Sequence, residues 1–346
     1  SFSTDKLSRR SFKHWLTTHH RALLIAEQDL RLIGYILIIY HPGTRLARIY
    51  SLAVDAQCRG YGIGALLMNA GEQAAKTDGR FYLRLEVSVD NVPAIKLYES
   101  LGFKKFGLYR DYYENHQDAL RFQKRIRSYR DTLQFRTVHW LRQTTPFTCG
   151  PAALMMAMHG LNKAYQPSQE EEINLWRQAT TIFMTSGHGG CHPIGLALAA
   201  KHRQFRVEVW LNQSGTLFID GVRSEAKKQV VELVDNAFKR QAQEQAIPIH
   251  YSNVSQTDLI NAFKAGAIPL ILISTYRMDR KKAPHWVVMS GFDDDCLYMH
   301  DPDPDSEQGR QSELDCQFIP IAFEDFDRIS CFGKTRLRTA VIVWPG

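Results

Sequence analysis

Apolar and polar positions divide the chain into a strand-rich first third and a longer remainder in which helices precede strands. Two apolar runs within 21–40 flank the polar pair Gln28 and Asp29, which predicts a strand, a tight turn and a second strand. A third strand is predicted over 47–54, followed by a glycine-rich turn. Ile63, Leu66, Leu67, Ala70 and Ala74 then recur at helical spacing, predicting a helix over 62–76 with that set as its buried face. Residues 81–89 alternate like a strand, 93–100 read as a helix stopped at Gly102, and 106–109 and 120–122 are strand-like. The basic residues Lys124, Arg125 and Arg127 close this segment, with a linker predicted near 127–135. A second apolar segment opens at 138–141, and after a loop a strongly apolar helix is predicted over 151–159. Helical spacing continues at 168–180, 193–203 and, as a long amphipathic stretch, 223–245. Strand-like runs close the chain at 268–274, 286–291, 296–300 and 339–344. The predicted classes are α/β for the first part and α+β for the second.

Length supports that division, because 346 residues exceed the ~250–300 that one core usually holds. With 44% hydrophobic and 23% charged residues, the composition is that of a globular protein rather than a disordered or fibrous one. The longest uncharged apolar run, 32–40, is far shorter than the ~18–20 residues a membrane helix needs, so no membrane partner is expected. The net charge of +7 is uneven. Residues 1–128 hold 20 Lys and Arg against 12 Asp and Glu, whereas 129–346 hold 23 against 24. That asymmetry fits two modules with different ligands. Charge alone leaves open nucleic acid, an anionic membrane, an acidic protein or a phosphorylated cofactor for the basic module. The six cysteines (58, 149, 191, 296, 316 and 331) form no CxxC pair, and no signal peptide is visible, so a cytoplasmic location is expected. Ser1 in place of Met predicts residues ahead of it.

The first chemical constellation is Arg59-Gly60-Tyr61-Gly62-Ile63-Gly64, between a predicted strand and a predicted helix. Glycines there let backbone N–H groups approach a phosphate, and the helix N-terminus favours its charge. It is neither a dinucleotide-binding GxGxxG nor a Walker A loop, and by itself it also reads as plain turn chemistry. Three further features accompany it: Leu52-Ala53-Val54 feeding the turn, Leu85-Glu86-Val87 near the end of the next strand, and Asn91-Val92-Pro93-Ala94-Ile95-Lys96-Leu97-Tyr98 followed by Gly102-Phe103. Together these resemble the GNAT acyltransferases, most closely the ribosomal-protein alanine N-acetyltransferases, over almost all of 1–128. The first strand and helix of that family are expected to be incomplete here. The resemblance implies acetyl-CoA as cosubstrate and no metal. The Leu52, Ala53 and Val54 backbone would pair with the pantetheine arm. Arg59, Gly60, Tyr61, Gly62, Ile63 and Gly64 would hold the pyrophosphate, and Asn91 would contact the cofactor. Glu86 would be the general base, directly or through a water, and Tyr98 the general acid. The chemistry agrees, since an ammonium must lose a proton before it attacks a thioester. Glu86 otherwise reads as a carboxylate between apolar strand residues, and Tyr98 as helix packing. Tyr112 and Tyr113 read either as acceptor contacts or as strand aromatics.

The second constellation is Gln143-Thr144-Thr145-Pro146-Phe147-Thr148-Cys149-Gly150-Pro151-Ala152. Cys149 precedes a helix start marked by Pro151 in its first turn. A helix N-terminus stabilises a thiolate, the form that attacks a carbonyl. Gln143 is placed to donate to the resulting oxyanion. His285 begins an apolar strand and Asp301 ends a later one, so neighbouring strands would bring them together and fix the imidazole tautomer. The order Gln, Cys, His, Asp resembles the papain-like double-glycine leader peptidases, over 133–346. The resemblance implies Cys149 as nucleophile, His285 as base and acid, Asp301 as orienting residue and Gln143 as oxyanion donor. His159, His250 and His300 rank below His285, and Asp303 and Asp305 below Asp301. Residues 293–295 read as a solvated turn rather than a calcium site. Ser186-Gly187-His188-Gly189-Gly190-Cys191-His192-Pro193 reads as a loop admitting an extended peptide, with metal binding or a Cys191 nucleophile as lesser readings. The chain thus reads as a bifunctional enzyme acting on a protein or peptide, with no nucleic acid or membrane partner. A peptide-binding module or an acyl transferase is the alternative for the second part.

Overall fold

A computed structural model of the chain describes residues 9–18, 20–41, 44–113, 115–127, 134–180, 183–184, 187–219, 222, 224–274, 284–304 and 313–346. The chain divides into two compact units, 1–130 and 131–346.

The first unit contains α1 (Arg9–Thr17), β1 (Arg21–Gln28), β2 (Arg31–Tyr40), β3 (Leu46–Val54), α2 (Ile63–Thr77), β4 (Tyr82–Ser88), α3 (Val92–Ser100), β5 (Lys104–Tyr109) and β6 (Ala119–Arg125). Its six strands form a mixed sheet in the order β1-β2-β3-β4-β6-β5. The apolar run of β2 is buried on both faces, as a central strand requires. On one side, Phe12 and Trp15 of α1 pack edge-on and tilted against Tyr35 and Tyr50. The α2 helix is rotated about one residue from the predicted face. Its buried stripe is Leu67, Met68, Gly71 and Ala75, while Leu66 is 62% exposed. The cause is Gly71: a Cβ there would lie 2.6 Å from Ile38 Cδ1, so glycine is what brings the helix down onto β2. A period count over apolar residues passes over glycine and so shifts the face.

The second unit contains β7 (Gln134–Phe135), α4 (Cys149–Leu161), α5 (Gln169–Ala179), β8 (Phe183–Met184), β9 (Gly187–His188), α6 (Pro193–Lys201), β10 (Arg206–Leu211), α7 (Glu225–Glu244), β11 (Ile249–His250), α8 (Gln256–Lys264), β12 (Ile268–Ser274), β13 (Pro284–Phe292), β14 (Cys296–His300), β15 (Ile319–Ala322), α9 (Phe323–Ile329) and β16 (Thr339–Trp344). The strand order is β11-β10-β16-β12-β13-β14-β15, with β7 on β13. Period-two alternation sorts the sheet residues into two cores. Leu270, Leu272, Trp286, Val288, Val341 and Val343 pack with α4, α6 and α7. Ile271, Ile273, Val287, Met289, Ala340 and Ile342 pack with Leu259 and Phe263 of α8 and Phe326 and Ile329 of α9. Residues 149–158 of α4 are buried all round, as expected of a helix apolar on every side. The apolar residues at 138–141 are irregular rather than a strand.

Gly291 is where β7 pairs antiparallel with β13, opposite Phe135. A side chain there would overlap the Phe135 ring and come within 2.5 Å of the Gln134 carbonyl oxygen. Gly291→Ala is therefore expected to cost about 1–3 kcal/mol by overpacking. Thermal unfolding followed by circular dichroism should show a drop of several degrees.

Candidate active sites

In the first unit, β3 and β4 pair in parallel only at Leu46↔Tyr82, Ala47↔Leu83 and Arg48↔Arg84. Beyond that register the ladder stops, although β3 runs on to Val54 and β4 to Ser88. Leu52, Ala53 and Val54 continue to pair with Ile36, Tyr35 and Gly34 of β2 on their other side. Their β4-facing edge is therefore an open strand edge among the described residues. The β2–β3 register shift between Leu37 and Ile38 lies beside the same stretch.

At the end of β3, Asp55 caps a short 3₁₀ turn by accepting the Gln57 N–H at 3.0 Å. The Gln57 amide and the Arg31 guanidinium hold the Asp55 carboxyl below the usual carboxylate range. Arg59 folds back to donate from Nε to the Val54 carbonyl at 3.3 Å. Gly60 (φ +85°) and Gly62 (φ +78°) adopt left-handed conformations with open space where a Cβ would be. Gly62 caps α2, so Ile63 and Gly64 enter its first turn, where N–H groups have no intrahelical acceptor. Gly64 has a packing role as well, since a Cβ there would meet Leu97 of α3 at 3.3 Å. Tyr61 is 80% exposed at the turn. Asn91 caps α3, its Oδ1 accepting the Ala94 N–H at 3.3 Å.

Glu86 lies on β4 with its side chain 3% exposed. Arg48 Nε donates to Glu86 Oε2 at 2.9 Å, and Arg121 Nε lies 3.7 Å from Oε1. Glu86 Oε1 itself accepts no hydrogen bond among the described residues. Arg48 also donates to the Tyr112 hydroxyl at 3.1 Å. Tyr112 and Tyr113 sit in the turn between β5 and β6, not in a strand. Tyr98 is 8% exposed, with Phe103 and Phe122 around its ring. Burial pushes its hydroxyl up to about 12, so it stays protonated at neutral pH.

In the second unit, Cys149 is the first residue of α4, with Thr148 as its cap. The preceding turn is closed by Thr148 Oγ1 donating to the Thr145 carbonyl at 3.1 Å. His285 enters β13 opposite Ile273, and Asp301 follows the last residue of β14. His285 Nε2–H donates to Asp301 Oδ1 at 2.6 Å, and Cys149 is near enough to act on the same imidazole. Burial alone would pull the imidazole down, but the charges of Asp301 and Cys149 outweigh it and raise His285 well above its usual value. Asp301 is fixed on every side. Its Oδ1 accepts the Asp303 N–H at 2.9 Å, its N–H donates to Cys316 at 2.8 Å, and its carbonyl accepts Trp140 Nε1–H at 2.6 Å. The Gln143 N–H donates to the Pro302 carbonyl at 2.9 Å, while its buried Oε1 has no hydrogen-bond partner among the described residues. Cys149, His285 and Asp301 are thus brought into one linked set, with Gln143 anchored beside Asp301.

The sequence of 138–344 matches the Peptidase_C39 like family, more than half of the chain, and that of 2–103 matches the Acetyltransferase (GNAT) family. An N-alpha-acetyltransferase of Sulfurisphaera tokodaii is 34% identical over 119 residues, 31% of this chain and 71% of that protein. The chain belongs to both families, one in each unit. The ribosomal protein bS18 alanine N-acetyltransferase of Salmonella typhimurium is 38% identical over 77 residues, 21% of this chain and 52% of that protein. A mycothiol acetyltransferase of Kocuria rhizophila is 33% identical over 105 residues, 29% of this chain. The chain spans only 35% of the length of that relative.

Within the Peptidase_C39 like unit, the rival residues have other partners. His300 is fully buried, accepting the Phe318 N–H and donating to the Val138 carbonyl, both at 3.0 Å. His159 is bonded to the Tyr165 carbonyl and His250 to Glu208. Cys191 is buried against Gly150, and burial together with Cys149 pushes its thiol up. His192 caps α6 and pairs with Asp235 at 3.0 Å. Asp293 is buried rather than solvated: its carboxylate accepts the Asp295 and Cys296 N–H groups at 2.8 Å and the Tyr298 hydroxyl at 2.9 Å. Ser186 and Asp305 lie outside the described residues, as does the side chain of His188. Among the described residues no group of three or more His, Cys, Asp or Glu is arranged to hold a metal, and no helix is long and apolar enough to cross a membrane.

Sequence reasoning missed Arg48, Arg121, Trp140 and Glu172. Arg48 and Arg121 occur on strands whose apolar neighbours dominate the pattern. Glu172 left a signal, since it shares the buried stripe of α5 with Leu175 and Ala179 at i, i+3 and i+7. An acid in an apolar stripe of that kind requires a partner.

Proposed function

We propose that the first unit transfers an acetyl group from acetyl-CoA to the amine of a protein or peptide. The supporting observation is the parting of β3 and β4 at Arg48 and Arg84, with a glycine turn at the end of the open β3 edge. In this reading the backbone of Leu52, Ala53 and Val54 pairs with the pantetheine arm. The turn from Arg59 to Gly64 takes the pyrophosphate on N–H groups at the start of α2, and Asn91 adds a contact. Acetyl-CoA supplies the thioester. Glu86, held on one oxygen by Arg48, accepts the acceptor's ammonium proton on the other, directly or through a water. The neutral amine attacks the thioester carbonyl, and Tyr98 keeps a proton for the departing thiolate.

For the second unit we propose peptide-bond cleavage through Cys149. The observation that carries this is His285 bonded to Asp301 Oδ1 at 2.6 Å, with Cys149 acting on the same imidazole from the first residue of α4. The thiolate attacks the scissile carbonyl, and the Gln143 carboxamide donates to the oxyanion. The His285 imidazolium protonates the leaving amine, and water then hydrolyses the thioester with His285 as base. All six cysteines are free thiols, which supports a reducing compartment. One experiment tests both readings: mass spectrometry of a peptide mixture incubated with the chain and acetyl-CoA. Acetylated amines are expected, together with new N-termini that vanish in Cys149→Ala. Cleavage that persists in Cys149→Ala would refute the nucleophile, and absence of any acetyl-CoA-dependent mass gain would refute the transferase reading.

A further inference from the structure

Helix α5 touches the segment that precedes Cys149 and, farther along the chain, the Gly189 carbonyl. Glu172 and Trp176 stand at i and i+4 along it, so they share one face, and Thr180 follows its last residue. Glu172 Oε1 accepts the Thr144 N–H at 2.9 Å, in the segment between Gln143 and Cys149. Trp176 Nε1–H donates to the Gly189 carbonyl at 2.9 Å, and Thr180 Oγ1 to the same oxygen at 3.3 Å. The Trp176 ring also packs on Phe147, two residues before the nucleophile, with centroids 5.0 Å apart. Glu172 is 1% exposed. A buried carboxylate is costly unless it is hydrogen-bonded, so its place on α5 calls for a role that repays the burial.

The segment from Gln143 to Thr148 has few regular restraints of its own, being neither helix nor strand. Its ends are tied at Pro302 by the Gln143 N–H and at Thr145 by Thr148. The Thr144 N–H is the tie between them. It lies in the peptide plane that joins Gln143 to Thr144, so its direction sets where the Gln143 side chain starts. We propose that Glu172 is a positioning residue of the cysteine centre, aiming the Gln143 carboxamide at the oxyanion by fixing the Thr144 peptide. This rests on the reading of Cys149 as an acyl-forming nucleophile. Glu172 touches neither substrate nor thiol in this arrangement.

Two probes of the full-length chain separate this role from mere stability. p-Nitrophenyl acetate acylates a thiolate through an oxyanion: the sulfur–carbonyl bond forms, p-nitrophenolate leaves, and S-acetyl-Cys149 remains. Iodoacetamide alkylates the same thiolate by displacing iodide, with no oxyanion. In Glu172→Ala, acylation of Cys149 read by peptide mass spectrometry should fall about 10- to 100-fold. Alkylation of Cys149 should stay within about twofold, because the His285–Asp301 pair is untouched. Glu172→Gln, which keeps a carbonyl acceptor for Thr144, should restore acylation to within a few-fold of wild type. If the alanine variant does not fold, Glu172→Met fills the volume without an acceptor and takes its place. Equal loss in both probes, or wild-type acylation in the alanine or methionine variant, overturns the proposal. Failure of the wild-type chain to acylate at Cys149 overturns the nucleophile reading itself, and the proposal with it.

Discussion

Replacing Asp301 by asparagine should lower Cys149-dependent cleavage by about 10²–10⁴-fold while leaving the chain folded, the upper figure being that seen for the equivalent change in serine proteases. The argument runs through His285. Its imidazole is buried, which favours the neutral form, and the Asp301 carboxylate is the first influence opposing that burial. An asparagine can still bond the ring, but it carries no charge and can present its amide nitrogen to Nε2, selecting the wrong tautomer. The imidazolium that protonates the leaving amine would then be lost at neutral pH. Because His285 is raised above its usual value in the folded chain, its contribution to stability is fully present below the ordinary histidine range near 6.5. It fades as pH rises through the elevated folded value. Asp301→Asn should therefore move the alkaline limb of kcat/KM to lower pH and flatten the fall of Tm with rising pH in the neutral to alkaline range. An unchanged alkaline limb in the variant would mean that Asp301 does not tune His285.

The second large effect is expected at Glu86. Glu86→Gln should reduce acetyl transfer by about 10²–10⁴-fold, the usual worth of a positioned general base. Affinity for CoA measured by calorimetry should be unchanged, because Glu86 lies on β4 and the glycine turn at the end of β3. The glutamine keeps an acceptor for Arg48 Nε and so preserves the local bonding. Glu86→Ala is the contrasting variant. It removes the carboxylate that faces both Arg48 and Arg121 in a buried site, and breaking such a pair costs about 3–5 kcal/mol. A drop in Tm confined to the alanine variant, with the rate lost in both, separates chemistry from stability. A glutamine variant that acetylates at the wild-type rate would remove Glu86 from the reaction.

Much of this was legible before any coordinates. Strands with a clean period, such as 47–54 and 339–344, and helices with Pro near the start, such as α3 and α4, lie within a few residues of where their patterns put them. The Cys149–His285–Asp301 set was readable because each residue sits at an element end, where a side chain can leave the core. What escaped was set by partners distant in sequence. The amphipathic face of α2 depended on Gly71 meeting Ile38, and the buried turn at Asp293 on Tyr298 and two backbone amides. Strand β10 interrupts the predicted sequence of helices before strands, and β15 and α9, of four and seven residues, are too short to show a period. Trp140 and Glu172 bind backbone groups 161 and 28 residues away, a relation no local pattern carries.

The place of β16 in the sheet has a consequence for how the second unit comes into being. Thr339–Trp344 is inserted between β10 and β12, pairing antiparallel with both. Helix α4, which opens on Cys149, lies before β10 in the chain, and the strands that bring His285 and Asp301 together lie after it. On the ribosome these two portions emerge one after the other, and the strand that joins β10 to β12 emerges after both. Until then the exposed edges of β10 and β12 are open to improper pairing, and such long-range closure is slow. Before residues 339–344 are in place, β10 and the strands from β12 onward are therefore two separate pieces of sheet. A Peptidase_C39 like unit built this way closes its sheet only once residues 339–344 are made.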